Sequence, residues 1–311
     1  MTDYLDEDVA YLLGMIVARG TFHEHRGHYT ISIEIPYTNI QIDDPPYHEE
    51  GGLHHLLASL DKIINRFSEL TTNTPRKMQG DNSVSIIFEI PRRTIFVRNL
   101  SILLDNKKDY TEFLIPKQIF EAPISYKKEF MRGFADVNAK VRKANAFYNG
   151  ENRIYIDILN NNWKLPIQLC NLLQNHLNIP LQTLTWGHPN IRDSKKKKWL
   201  KREHQIKVYN NDFEDIGFYI EHKNKKSKKF AKENEKLEVS GKKCDPFVKM
   251  KRKPRIKPSH PEEKNRDLPD ELRGKHYNSF WEICRDLGCK EFEKQVSIMD
   301  LFKEDSQNKK N

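Results

Sequence analysis

Residues 11–22 read YLLGMIVARGTF, and residues 129–140 read EFMRGFADVNAK. Each is a short apolar segment built around one glycine, Gly14 or Gly133, and the two glycines stand 119 residues apart. The stretch after each segment also repeats. Ile31, Ile33 and Ile35 alternate with Ser32 and Glu34, while Ile154, Ile156 and Ile158 alternate with Tyr155 and Asp157. A period of two marks a strand with one apolar and one polar face. Leu53, Leu56, Leu57, Leu60, Ile63, Ile64 and Phe67 then fall at helical spacing, as do Leu165, Leu169, Leu172, Leu173 and Leu177. Further strands are expected at 83–90 in the first half, and at 181–186 and 204–209 in the second. Short closing helices are expected near 93–104 and 211–221. The order helix, two strands, helix, two strands, helix thus occurs twice.

The spacing divides the chain into a first repeat (1–115), a second repeat (116–222), a basic linker (223–267) and a small C-terminal appendage (268–311). Pro116 marks the junction, and Ser125 is a plausible N-cap for the second glycine-centred helix. The linker is dense in lysine and arginine, with prolines at 246, 254 and 258, which reads as an extended or flexible stretch. In the appendage, Phe280, Trp281, Ile283 and Leu287 predict a short helix that stops at Gly288.

Composition narrows the class. Of 311 residues, 37% are apolar and 31% charged, and the formal net charge is +9. The apolar share suffices for a core, and the excess of positive charge favours a polyanionic partner. Four cysteines are too few for a disulfide scaffold. The acidic start, Met1 to Glu7, lacks the features of a secretory signal, and no apolar run spans a bilayer. A reducing, cytoplasmic setting without membrane attachment is expected.

Residues 12–20, LLGMIVARG, resemble the LAGLIDADG motif of homing endonucleases, and residues 131–139, MRGFADVNA, resemble a second, weaker copy. The matching positions are Leu12, Gly14, Ile16, Ala18 and Gly20, then Gly133, Phe134 and Asp136. The resemblance covers about residues 5–222. It implies an α+β, pseudo-twofold, two-repeat LAGLIDADG homing endonuclease-like fold, αββαββα per repeat, with the appendage added. It also implies that the two motif helices pack along the pseudo-dyad. Gly14 and Ala18 would form one contact face, and Gly133 and Val137 the other. One chain then supplies both half-site readers for double-stranded DNA, so a monomer is expected.

In the family, the last acidic residue of each motif holds a divalent cation at the scissile phosphates. Arg19 and Asn138 occupy those positions here. Arginine cannot ligate a cation, and asparagine is a neutral ligand where magnesium favours carboxylate oxygen. Val17 replaces the earlier acidic position in the first copy; Asp136 keeps it in the second. The expectation is a sequence-specific DNA-binding protein without cleavage by the family mechanism, serving regulation or a defence or restriction system. Its enzymatic alternative is a magnesium-dependent endonuclease with rearranged ligands among Asp136, Glu34 and Asp157. RNA binding, as in intron-splicing relatives, is a third reading. Arg19 has two roles open to it: phosphate contact through its guanidinium, or a salt bridge with a nearby acid such as Glu24.

With the isoleucines facing the helices, their neighbours are expected to face DNA. These are Thr30, Ser32 and Glu34, then Arg153, Tyr155 and Asp157, with Lys140 and Arg142 flanking Val141. His23, His25, Arg26 and Lys207 join them, and Lys201 and Arg202 lie at a basic hairpin tip with Lys195–Lys198. Bases, amphipathic side chains and a few acids suit base-edge reading with phosphate anchoring; the competing reading is a solvated sheet face. In the appendage, Cys244, His260, His276 and Cys289 are a candidate structural zinc site. Cys284 competes as a ligand, or packs beside Trp281 as a small hydrophobe.

Overall fold

The computed structural model describes residues 4–25, 27–40, 51–71, 73–143, 151–159, 163–188, 203–239, 276–277 and 280–287. The first repeat opens with α1 (Glu7–Arg19), strands β1 (Gly20–His25) and β2 (His28–Pro36), and a single helical turn, α2 (Tyr37–Ile40). It continues with α3 (Gly51–Phe67), β3 (Arg76–Gln79), β4 (Ser83–Pro91) and α4 (Ile95–Leu103). A short bridging helix, α5 (Lys117–Glu121), leads into α6 (Ile124–Asn138), β5 (Ala139–Arg142), β6 (Arg153–Leu159) and α7 (Lys164–Asn171). The helix α7 runs on as a π-turn over Leu172–His176. Next come β7 (Thr183–His188), β8 (Glu203–Tyr209) and α8 (Glu221–Val239), then β9 (His276–Tyr277) and α9 (Phe280–Leu287).

The two sheets share one antiparallel strand order. The first is β1-β2-β4-β3 and the second is β5-β6-β8-β7, with β9 added at the β7 edge. The αββαββα order expected for each half is therefore realised twice. Alternation decides which face each strand buries. Ile31, Ile33 and Ile35 are fully buried, as are Ile154 and Ile156, while Glu34 is exposed. Cross-strand register keeps the apolar side continuous: Ile31 pairs with Phe88, Ile33 with Ile86 and Ile156 with Ile206. The helices cover that side, and one continuous core runs through both halves.

Each motif helix ends by turning straight into its strand. Gly20 and Ala139 cap α1 and α6 in extended conformation. The first helix starts at Asp6, whose carboxylate accepts from the Val9 N–H at 2.7 Å. The second starts slightly earlier than the sequence suggested. Pro123 takes the N-cap position, so Ser125 lies inside the first turn; the proline's fixed φ of −53° leads into the helix without a side-chain cap.

Two boundaries depart from the sequence reading. The stretch expected as an extended linker from 223 begins instead with a 19-residue helix, α8, and residues 211–220 are turns rather than a closing helix. Lysine density hid an amphipathic pattern. Lys223, Lys226, Ser227, Phe230, Ala231 and Asn234 are buried along one side while Lys225, Lys228, Lys229 and Lys232 stay in solvent. The second departure concerns the appendage, which is not separate. Leu184 pairs with Tyr277 and Thr185 with His276, so β9 extends the second sheet. Phe280, Ile283 and Cys284 of α9 are buried in the common core. The α9 helix itself lies where the sequence placed it.

The π-turn holds a histidine that should report on acid stability. The His176 ring packs tilted against Phe120, 5.3 Å between centres, and its Nδ1 lies 3.4 Å from Lys127 Nζ. Burial, then the lysine's charge, lower its pKa from 6.5 to about 4. The folded protein therefore keeps this ring neutral where the unfolded chain protonates it. Its contribution is whole above about pH 6.5 and is lost as pH falls towards 4. Thermal melts between pH 7 and pH 4 should show a steeper loss for the wild type than for His176→Phe.

Candidate nucleic-acid interface

The site begins where α1 and α6 cross. A methyl group at Gly14 would collide with the Phe130 carbonyl oxygen and lie 2.9 Å from the Phe134 nitrogen. One at Gly133 would collide with the Tyr11 carbonyl oxygen and lie 3.2 Å from the Met15 nitrogen. The two backbones thus touch at the two glycines, and only hydrogen fits in the gap. The crossing brings both C-terminal ends together, where strands β1 and β5 leave for their sheets.

At those ends the two degenerate motif positions bond to each other. Arg19 Nε donates to Asn138 Oδ1 at 2.9 Å, and Asn138 Nδ2 donates to the Ala18 carbonyl at 3.1 Å. The Arg19 guanidinium also lies 5.9 Å from the Tyr110 ring centre. The expected alternative partner, Glu24, is engaged elsewhere, with Arg92 at 2.8 Å and Lys108 at 3.5 Å. A divalent cation at this point would meet a guanidinium and an amide nitrogen, and two neutral oxygens, Asn138 Oδ1 and the Ala18 carbonyl, each already accepting a hydrogen bond. The donor set does not fit magnesium.

Asp136 is not at the helix ends' surface. It is fully buried. Its Oδ2 accepts from the Tyr11 hydroxyl at 2.8 Å and the Tyr219 N–H at 3.0 Å, and its Oδ1 from the Ile220 N–H at 3.3 Å. Burial raises its pKa, against the opposing pull of Lys223. Lys223 Nζ donates to the carbonyls of Ala135 and Asp136 at 2.8 and 2.9 Å, and burial lowers its pKa to about 7. Asn39 Nδ2 donates to the Val137 carbonyl at 2.9 Å. These three side chains tie the last turn of α6 to α1, α2 and α8. Asp136 is therefore a structural clasp, bonded to Tyr11 and to the backbone at Tyr219 and Ile220.

Near the other end of the helix pair, Arg66 bonds to Asp8 and, at 3.0 Å, to Glu129. Its guanidinium lies over Tyr11 and Tyr219, 5.0 and 4.8 Å from the ring centres. Arg132 bonds to the same Glu129. No sequence signal linked these residues.

The polar faces of the two sheets differ. On the first, His23, His25 and Glu34 are exposed and Thr30 and Ser32 half-exposed, in the register His23 opposite Thr30 and Thr21 opposite Ser32. Arg76 and Glu89 extend this face and pair at 2.8 Å. On the second, the expected DNA-facing residues Lys140, Arg153 and Asp157 are buried, with Arg153 only 1% exposed. Lys140 pairs with Asp157 at 2.8 Å, and Gln205 Nε2 donates to the same carboxylate at 2.7 Å. The placement of these three on an open reading face is thus corrected: the Lys140–Asp157 pair allows the burial of both, and the Arg153 guanidinium lies 5.6 Å from the Tyr209 ring centre. Tyr155, half-buried, lies between Arg142 at 5.7 Å and Lys207 at 5.1 Å. Burial, then Arg153, lower the Lys207 pKa to about 8.

Arg26, Lys201 and Arg202 lie outside the described residues, as do the hairpin tip and three members of the zinc set, Cys244, His260 and Cys289. His276 enters the fold as part of β9. Cys284 is buried near Cys170, and both are thiols. Among the described residues, no three histidine, cysteine or acidic side chains converge to hold a metal ion, so Asp136, Glu34 and Asp157 form no joint centre. No described helix is long and apolar enough to cross a membrane.

No protein-family model and no curated protein sequence matches the chain. Solved structures do. I-DmoI in complex with DNA and calcium is 12% identical, covering 68% of this chain and 86% of its own, with a TM-score of 0.36. The homing endonuclease I-WcaI bound to its DNA recognition sequence is 11% identical over 68% and 81%, with a TM-score of 0.39. The N-terminal LAGLIDADG domain of DUF199/WhiA is 14% identical over 69% and 79%, with a TM-score of 0.36. At low sequence identity, the chain is similar to LAGLIDADG homing endonucleases and to the WhiA LAGLIDADG domain.

Proposed function

We propose that the protein binds double-stranded DNA as a monomer, in a sequence-specific manner, and does not cut it by a two-carboxylate, metal-dependent mechanism. The observation that carries this reading is the Arg19–Asn138 hydrogen bond. The two positions that would hold cations hold each other instead, and they add one positive charge where a phosphodiester would pass. The open polar face of the first sheet supports base-edge contact through His23, His25, Thr30, Ser32 and Glu34. The net charge of +9 supports phosphate anchoring. Burial of Lys140, Arg153 and Asp157 makes recognition asymmetric: the first repeat reads, and the second contributes Arg142, Tyr155 and Lys207. A site that is marked but not cut suits transcriptional control or target recognition in a defence system.

The test is incubation with a randomised duplex pool in magnesium or manganese, scored separately for retention and for cut ends. Retention without cut ends is expected, with logarithmic affinity falling linearly with logarithmic salt. Arg19→Glu should weaken retention about tenfold or more, since it reverses a charge at the phosphate path. A metal-dependent nick that disappears in Asn138→Ala would overturn the reading in favour of a rearranged nuclease.

A further inference from the structure

The last described helix, α9, is fixed to the body. Phe280, Ile283 and Cys284 are buried, and the Phe280 N–H donates to Gln174 Oε1 at 2.8 Å. Beyond Leu287 the sequence continues as GCKEFEKQVSIMDLFKEDSQNKKN from 288 to 311. Most of that stretch is polar, but its centre is not. Gln295 is followed by Ile298 at +3 and by Leu301 and Phe302 at +6 and +7. A single helical stretch would put these four on one side, because residues three, four and seven apart share a face. Of the intervening residues, Ser297 and Asp300 are polar and Val296 and Met299 apolar, and Lys294 and Lys303 bracket the set. The side thus offers one amide, able to donate and accept at once, and three large apolar groups.

A segment of this length cannot bury three large apolar side chains against itself, so it gains most from a preformed pocket on another surface. Among the described residues, Tyr277, Phe280 and Ile283 lie in the core with the second sheet and α7. Seven residues separate α9 from Gln295, a connection reaching at most roughly 25 Å when extended. A partner docked there stands beside the body and any duplex it holds.

We propose that residues 295–302 are a docking peptide for a ring-shaped sliding clamp. The spacing of a glutamine, an aliphatic residue three on, and two large apolar residues six and seven on is that of clamp-binding peptides. Tethering to a ring that encircles duplex DNA raises the local concentration of the body at that duplex. The assignment goes beyond the DNA reading, and the peptide contact is tested without DNA.

The full-length protein is titrated calorimetrically against the sliding clamp of its own organism, beside Phe302→Ala and Ile298→Ala full-length variants. Wild-type binding is expected, weakened at least tenfold by each variant, with duplex retention unchanged. Absence of wild-type binding would overturn the proposal, as would variants that bind the clamp equally well. A lowered melting temperature in Phe302→Ala, with clamp binding intact, would place the segment on its own body instead and also overturn it. Loss of DNA retention in the wild type, with clamp binding preserved, would refute only the DNA reading.

Discussion

Gly14→Ala is expected to cost about 3 kcal/mol or more, or to prevent folding, and Gly133→Ala to do the same. Each added methyl meets backbone rather than a side chain that might rotate away: the Phe130 carbonyl in one case and the Tyr11 carbonyl in the other. Relief requires the two helices to separate. Separation would pull apart the fully buried Tyr11, Met15, Phe130 and Phe134, and would break the Asn138 bond to the Ala18 carbonyl. Gly80→Ala is the control. A methyl there would lie 3.4 Å from the Ser83 carbonyl, an ordinary contact, so the change should stay within about 0.5 kcal/mol. Urea denaturation followed by circular dichroism measures all three. The two damaging substitutions strain one crossing, so their combination should cost less than the sum. Wild-type midpoints in both single variants would mean that the helices do not meet at these glycines.

That crossing is also where the sequence was most informative. Two glycine-centred segments in the same element order carried the resemblance to the LAGLIDADG motif, and the resemblance implied that α1 and α6 pack together. The alternation at Ile31–Ile35 and Ile154–Ile158 set the buried face of each sheet. Period and repetition are local properties, so they survive in a linear reading. The helix α8 was missed for a physical reason. Its many lysines resemble a solvated tract, and only packing reveals that Lys223 and Lys226 lie inward while their neighbours point out. The Arg19–Asn138 bond was half legible. Equivalent positions in two repeats must lie close across a pseudo-dyad, but which side chain each would choose depends on Glu24 being held by Arg92 and Lys108. The second sheet's face was misjudged because alternation reports polarity and not exposure. Lys140 and Asp157 alternate as surface residues do, yet their mutual ion pair lets both be buried. Asp136 shows the same limit most sharply. Its place in the motif suggested chemistry, while its three donors come from residues 125, 83 and 84 positions away.

Asp136→Ala should therefore destabilise the fold by about 3 kcal/mol or more, because it leaves three donors without the buried acceptor they share. The substitution removes the negative group that holds up the Lys223 pKa and leaves the Tyr11 hydroxyl and the N–H groups of Tyr219 and Ile220 without their acceptor. Asp136→Asn keeps an acceptor oxygen for part of that set and should cost less. Lys223→Met alone removes a nearby positive charge from the buried Asp136 carboxyl, which keeps its three donors, and removes the donor to the Ala135 and Asp136 carbonyls. The double variant Asp136→Asn, Lys223→Met removes both charges together. It should recover a substantial part of the separate losses, so the cycle should show a coupling of about 1–3 kcal/mol. Alkaline titration gives a second handle. The Lys223 pKa falls from 10.5 in the unfolded chain to about 7 in the fold, so between those values the unfolded state holds more protons. Stability should rise with pH across that window. Lys207, lowered to about 8, acts in the same direction. Lys223→Met should thus reduce the slope of stability against pH between about 7 and 9 without abolishing it. Additive single losses together with an unchanged alkaline slope would show that Asp136 and Lys223 do not act as a pair, and the clasp at the end of α6 would have to be assigned to Tyr11 and Asn39 alone.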